Sequence, residues 1–332
     1  MNKSIIAVPI GDAAGVGPEI VVKALGNPAL SHSRLLVIGE RMVIERALAI
    51  CGSKASIHCV EDIREAIFEP GVINLLNMDN LDINGFRFGE ISAICGKAAF
   101  AYIAKSIELS MANIVGAVAT PPINKESFRL AGIDYIGHTE VFGSLTNTED
   151  PLTMFEVRGM RVFFLTRHVS LKRSCDLITK DRIVSYGRRC VDALRKLGVD
   201  HGPMAVAGLN PHCGEHGLFG DEEGTQIEPA VKELQDSGYD VVGPVSADSV
   251  FFQALRGKYS SVLSLYHDQG HIACKTLDFD RTVSVTVGMP VLRTSVDHGT
   301  AFDIAGMGIA SDVSMVESIL VAEKYAPYYS KR

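Results

Sequence analysis

The sequence predicts an α/β protein in which helices cover parallel sheets. Short, continuous apolar runs of strand length alternate with longer segments of helical period. A second observation, the length of 332 residues, exceeds what one hydrophobic core usually organises and predicts two lobes. The first strand falls at residues 5–10. Gly11, Gly15 and Gly17 then make a turn, Pro18 suits a first helical position, and Glu19 complements the positive end of a helix dipole over 20–25. Further strands are expected at 35–39, 72–75, 116–120, 162–166, 204–208, 262–266 and 283–287. Most are continuously apolar, as strands buried on both faces should be. Helical period is clearest at 97–111, at 181–197 behind a capping Thr179, at 222–234 and at 313–323. No internal repeat and no Pro- or Ser-rich linker is found, so strands crossing between the lobes, rather than a tether, would join them.

Composition narrows the class. Hydrophobic residues make up 47% and charged residues 21%, which provides for sizeable cores and argues against disorder. The 32 Lys and Arg against 39 Asp and Glu leave a net charge of −7, so nothing in the balance recruits a nucleic-acid backbone or an anionic membrane. Seven scattered cysteines without a C-x-x-C pair fit reduced thiols. No apolar run reaches the roughly 18 residues of a membrane span, and Pro9 and Gly11 come too early for a signal-peptide apolar region. A cytoplasmic location is expected.

Histidines carry the chemical signal. His168, His212 and His267 each follow an apolar strand, the position from which open α/β sheets present ligand groups. Three imidazoles from three strand ends make an open divalent-metal site, and the alternative is three hydrogen-bonded loop histidines. The i,i+4 pairs His212/His216 and His267/His271 are interrupted by Gly214 and Gly270, which speaks against helical pairs, and neither has the glutamate of H-E-x-x-H.

Gly137-His138-Thr139-Glu140 reads as a helix start, with Thr139 as cap and backbone N–H groups free to face an anion. Lys275 and Arg293 flank the last strand; they are surface charges or, with that helix start, a phosphate clamp. The glycine turn at 11–19 is neither a G-x-G-x-x-G nor a P-loop. The stretch from Asp297 through His298, Gly299, Thr300 and Asp303 is a loop of small and polar residues that could follow a cofactor or simply turn the chain.

Taken in order, the motifs resemble a known family. Gly11-Asp-x-x-Gly-x-Gly-Pro-Glu19 with His298-Gly-Thr-Ala-x-Asp-Ile-Ala-Gly306 is similar to the isocitrate and isopropylmalate dehydrogenase superfamily. Thr120-Pro-Pro-Ile-Asn-Lys125, Gly137-His-Thr-Glu140, Gly208-Leu-Asn-Pro-His212, Gly217-Leu-Phe-Gly-Asp-Glu222, Tyr266-His-Asp-Gln-Gly270 and Arg293-Thr-Ser-Val-Asp-His-Gly299 resemble the 4-hydroxythreonine-4-phosphate dehydrogenase (PdxA) family. The resemblance spans nearly the whole chain.

It implies two α/β/α lobes with a central cleft, residues 1–115 plus 285–332 forming the first and 116–284 the second, the latter carrying the dimer interface and the metal site. A homodimer is implied, with active sites at the subunit interface. His168, His212 and His267 fall on the family's metal ligands, the third supplied by the partner subunit, for one divalent ion per site (zinc, magnesium, manganese or cobalt). His138, Thr139, Lys275 and Arg293 fall on its substrate and phosphate contacts. Ser284 stands where the family usually has an asparagine, and Ala13 replaces the proline usual in the first turn. NAD is the implied cofactor, on Asp297, His298, Gly299, Thr300 and Asp303. Asp248 and Asp268 are expected to transfer protons or to orient ligands.

The activity implied is NAD-dependent oxidation at C3 and decarboxylation of a 4-phosphorylated hydroxy acid. The residues at 266–271 and 298–304 look more like the branch acting on 4-phospho-D-threonate and 4-phospho-D-erythronate, in sugar-acid catabolism, with dihydroxyacetone phosphate as product. The alternative is 4-phosphohydroxy-L-threonine oxidation to 3-amino-2-oxopropyl phosphate in pyridoxine biosynthesis. A metal-dependent hydrolase and a sugar-acid binding protein are remoter readings.

Overall fold

The computed structural model describes residues 3–329. The chain divides into two compact units, one of residues 1–151 with 289–332, the other of residues 152–288. In chain order the first unit opens with β1 (Ile6–Pro9), α1 (Gly17–Leu25), β2 (Leu35–Gly39), α2 (Arg41–Cys51), β3 (Ser56–Cys59) and β4 (Val72–Asn77). It continues through α3 (Ala93–Met111), β5 (Ala117–Thr120), α4 (Lys125–Leu130) and α5 (His138–Leu145). The second unit runs β6 (Leu152–Val157), β7 (Met160–Phe164), α6 (Leu171–Leu177), α7 (Lys180–Lys196), β8 (Met204–Ala207), α8 (Glu228–Asp236) and β9 (Val241–Val245). It closes with α9 (Ala247–Leu255), β10 (Ser261–Ser264), α10 (His267–Leu277) and β11 (Val283–Val287). The chain then returns to the first unit as β12 (Arg293–Ser295) and α11 (Val313–Tyr329).

Strands of the first unit lie in the order β3-β4-β2-β1-β5-β12, all parallel. Its central strands are sealed: Ile6, Ala7 and Val8 have no exposed surface, nor do Val37 and Ile38. Each such aliphatic side chain contributes about 1.5–3 kcal/mol by burial. Residues 116–151, expected to open the second lobe, belong here, because β5 pairs with β1 through Ile6 and Ala117 and with β12 through Val118 and Arg293. Residues 285–288 belong to the second unit for the corresponding reason: β11 is paired along its whole length with β6, from Val283 opposite Glu156 to Val287 opposite Leu152.

The second unit orders its strands β11-β6-β7-β10-β8-β9. Here the expectation of parallel strands fails in part, since β6 is antiparallel to both β11 and β7. The turn between β6 and β7 is Arg158-Gly159, both at positive φ (49° and 83°), the geometry of a two-residue hairpin. Arg-Gly is not the Asn-Gly or Asp-Gly that usually marks such a turn. β9 carries Pro244 on the edge of its sheet, where a missing N–H costs no ladder bond.

Helix ends follow the sequence closely. Thr179 caps α7 by accepting from Arg182 N, and Pro18 lies in the first turn of α1. Glu19, in the same turn, is 1% exposed and does more than face a helix dipole. Its two carboxylate oxygens accept the amides of Gly306 (2.5 Å) and Gly308 (2.8 Å). One turn on, Lys23 Nζ donates to the carbonyls of Gly308 and Ala310, each at 2.7 Å. No described helix is long and apolar enough to cross a membrane.

Candidate active site

In the first unit the turn after β1 approaches two other segments so closely that side chains are excluded. A Cβ at Gly11, where φ is +73°, would lie 2.5 Å from the Pro122 carbonyl oxygen, and one at Gly15 would lie 2.8 Å from Thr300 Cβ. Val16 N donates to the Thr300 carbonyl (3.0 Å). The glycine turn and the loop holding Asp297, His298, Gly299, Thr300 and Asp303 are therefore one assembly. His298 Nδ1 contacts the Gly299 carbonyl (2.9 Å), Thr300 is buried and Asp303 is exposed. Asp12, within the turn, is wholly buried; Oδ1 accepts from Ala14 N (2.9 Å), and Oδ2 is sealed without a hydrogen-bond partner. Burial pushes its carboxyl up, against the opposing pull of Ala14 N–H and the Ser127 hydroxyl.

A cluster of buried polar groups lies at the start of α5. Arg293, on β12, is 5% exposed; its Nε donates to Thr120 Oγ1 (3.0 Å), and its guanidinium carbon lies 5.6 Å from the Phe142 ring centroid. Burial lowers its pKa to about 9, with Glu140 pulling the other way. His138 is half-buried with its Nε2 sealed from solvent and without a hydrogen-bond partner. Burial first, then Arg293, holds this imidazole well below the usual histidine range, so it is neutral at pH 7. Gly137, in extended conformation, precedes the helix as its cap and makes no side-chain bond. Thr139 is thus not the expected cap but a residue of the first turn, and the backbone N–H groups there have no side chain competing for them.

The second unit brings two of the three predicted metal ligands together. β7 and β10 are parallel neighbours in register, Val262 beside Val162 and Ser264 beside Phe164, so the chain leaves both at the same level. His168 and His267 then lie with ring centroids 6.0 Å apart. They border a cavity of about 260 Å³ with Arg167, Ser174, Tyr266 and Asp268. Asp268 Oδ1 lies 2.6 Å from His267 Nδ1, which directs the ring's Nε2 to any further ligand. A carboxylate behind an imidazole is the usual support of a metal-binding histidine.

His212 is not in this cluster. It enters a turn in which residues 212–216 all have positive φ, and it borders a different cavity, of about 660 Å³, with Glu215, Asp221 and Glu223. No three His, Cys, Asp or Glu side chains among the described residues converge as a metal site. Asp248 lies exposed in the first turn of α9, away from the cavity between His168 and His267. Lys275, on α10, holds its Nζ 5.2 Å from the Phe279 ring centroid. Ser284 pairs across the strands with Phe155.

The expected break at Gly270 does not occur. α10 runs through it, because a Cβ there would lie 2.6 Å from Phe164 Cε1 and 2.7 Å from Ser264 Oγ, so glycine lets the helix lie against the sheet. His267 and His271 consequently share a face and stack, with centroids 3.7 Å apart and planes 12° from parallel. Sequence reasoning also passed over Arg167, which hydrogen-bonds Thr153 and borders the cavity. Its position immediately before His168, as the charged residue at a strand end, was the available signal.

Comparison with known proteins defines the class. A protein of Clostridium botulinum named "Putative D-threonate 4-phosphate dehydrogenase" is 59% identical over 331 residues, covering 99% of each chain. One of the same name from Fusobacterium nucleatum is 58% identical, covering 98% of each. The crystal structure of 4-hydroxythreonine-4-phosphate dehydrogenase from Klebsiella pneumoniae superposes with a TM-score of 0.92 at 41% identity, over 98% of each chain. The chain is accordingly an oxidoreductase with the α/β dehydrogenase fold expected from its motifs. The family model described as "Pyridoxal phosphate biosynthetic protein PdxA" matches residues 31–322, and the chain belongs to the PdxA family.

Proposed function

We propose that the protein oxidises C3 of 4-phospho-D-threonate or 4-phospho-D-erythronate with NAD and releases carbon dioxide, giving dihydroxyacetone phosphate. The observation that carries the reading is the polar cluster at α5, where a buried guanidinium and a neutral imidazole stand beside open helix N–H groups. Such a cluster suits a phosphate dianion. The names of the relatives favour the threonate over the amino substrate.

His138, Thr139, Lys275 and Arg293 are the residues assigned to the phosphate. Energy from this remote group orients the reacting carbon. His168 and His267 hold one divalent ion (zinc, magnesium, manganese or cobalt), and His212 of a second copy completes the set in a homodimer. When bound, the ion supplies Lewis acidity to the substrate's oxygens. Asp297, His298, Gly299, Thr300 and Asp303 hold NAD, which when bound is the hydride acceptor. Asp268 orients His267, and Asp248, which does not border that cavity within one chain, is the second candidate for proton transfer or ligand support. Chemically, C3 loses hydride and its hydroxyl loses a proton; the C1–C2 bond of the resulting β-keto acid then breaks, and C2 takes up a proton. Ser284 offers a hydroxyl in place of an amide, which shortens the reach toward the substrate.

The test is NADH formation with 4-phospho-D-threonate, 4-phospho-D-erythronate and 4-phosphohydroxy-L-threonine in parallel, each with added metal and with chelator. Metal-dependent turnover of the first two supports the proposal. Preference for the third moves the protein to vitamin B6 synthesis, and no turnover of any rejects the substrate class.

A further inference from the structure

We propose that His271 is a positioning residue, fixing the ring plane of His267 so that its Nε2 is presented for metal binding; this rests on the reading of His168 and His267 as ligands. Asp268 holds His267 at one edge, through Nδ1, but a single edge contact leaves the ring free to rock about it. The flat face is supplied by His271, stacked at 3.7 Å.

His271 is itself held on two sides. Its Nδ1 lies 2.8 Å from the His267 carbonyl oxygen, which can only accept, so Nδ1 carries the proton. Its ring also packs against Phe155 (centroids 4.6 Å, 68°) and Phe164 (4.3 Å, 39°), both nearly fully buried. The sheet thus carries two phenylalanines, they carry His271, and His271 carries His267. Glycine at 270 is part of the same device, since only a close approach of α10 to the strands seats the ring there.

Metal titration of the full-length protein, stripped with chelator, tests the role without relying on turnover. Loss of a group that orients a metal ligand commonly costs 10–100-fold in affinity. His271→Ala should therefore weaken Zn²⁺ and Co²⁺ binding at least tenfold by calorimetry and alter the Co²⁺ absorption spectrum. His271→Phe, which keeps a flat ring and the aromatic packing, should bind within about threefold of the parent. A purely structural role would lower the melting temperature of both variants and leave the cobalt spectrum unchanged. His168→Ala and His267→Ala separate the layers of the argument. If they abolish tight binding while His271→Ala binds normally, the positioning role is overturned alone. If they too bind normally, the histidine site falls and the inference with it.

Discussion

Glu19→Ala should release the loop at 300–310 while leaving the rest of the first unit intact. In the structure each oxygen of this buried carboxylate accepts one loop amide, Gly306 N at 2.5 Å and Gly308 N at 2.8 Å. Hydrogen bonds to a charged group contribute about 1.5–3 kcal/mol each, and truncation leaves both donors without that partner. The two together put the expected cost at about 3–6 kcal/mol of local stability, and every 1.4 kcal/mol is tenfold in an opening equilibrium. Hydrogen–deuterium exchange of peptides spanning 297–312 should accordingly speed up more than a hundredfold, while β1 and β2 exchange as before. Lys23, which holds the carbonyls of Gly308 and Ala310, keeps part of the attachment, and Glu19→Gln, retaining one acceptor, should fall between. Because the loop includes the residues assigned to NAD, the variant's NAD affinity should drop by the fraction of time the loop is open. Unchanged exchange at 300–310 would refute the clamp. Acceleration spread evenly over the unit would show that Glu19 supports the fold and not this loop.

Two further outcomes follow from buried charges. The pKa of Arg293 is held at about 9 by burial, so the cluster at α5 loses its cation as pH rises through that value. kcat/KM for a phosphorylated substrate should fall above about pH 9, and Arg293→Gln should have a low kcat/KM without that limb; a parent profile flat to pH 10 would exclude the role. For stability the sign is opposite, because the folded state binds this proton less tightly than the unfolded chain. The Arg293 penalty is full below pH 9 and declines as pH rises toward the ordinary arginine range. Asp12, whose carboxyl is pushed up by burial, destabilises the fold at neutral pH and ceases to do so as pH falls below its ordinary range. Asp12→Asn, which keeps Oδ1 for Ala14 N, should raise the melting temperature at pH 7 by more than at pH 4, and an equal or smaller gain at pH 7 would contradict the burial argument.

What the sequence made legible was the position of the buried strands. β2 and β11 match their apolar runs, and the Thr179 cap of α7 is where the side-chain chemistry put it. What it concealed depends on contacts between distant segments. β12 is Arg-Thr-Ser, polar in sequence yet buried, and Arg293 Nε donates to Thr120 on a strand 173 residues away. β6 hides behind an Arg-Gly turn, and Gly270 reads as a helix breaker until the packing of Phe164 and Ser264 against it is known. At the site, His168 and His267 were legible as strand-end residues, and their meeting follows from adjacent parallel strands. The separation of His212 within one chain agrees with the resemblance, which has the third ligand come from the partner subunit, but the left-handed turn that carries it has no mark in the sequence.

That turn has a physical explanation. Residues 212–216 have φ between 44° and 79°, and only Gly214 among them is suited to that region. For the other four, left-handed backbone costs about 1–2 kcal/mol each, so the turn persists only if its neighbours determine it. Glu223, 2% exposed, fixes the segment entering the turn: Oε1 accepts both Leu209 N and Asn210 N at 2.7 Å, and Oε2 accepts Asn210 Nδ2 at 2.8 Å. Phe219 N closes the far side onto the Gly214 carbonyl (3.1 Å). As at Glu19, a buried glutamate accepts backbone amides of a loop that carries assigned ligands. A buried carboxylate is costly unless fully hydrogen-bonded, and each loop supplies the donors that make it tolerable. Loop geometry and carboxylate burial are therefore mutually dependent, which is why neither loop announces its conformation in its own residues.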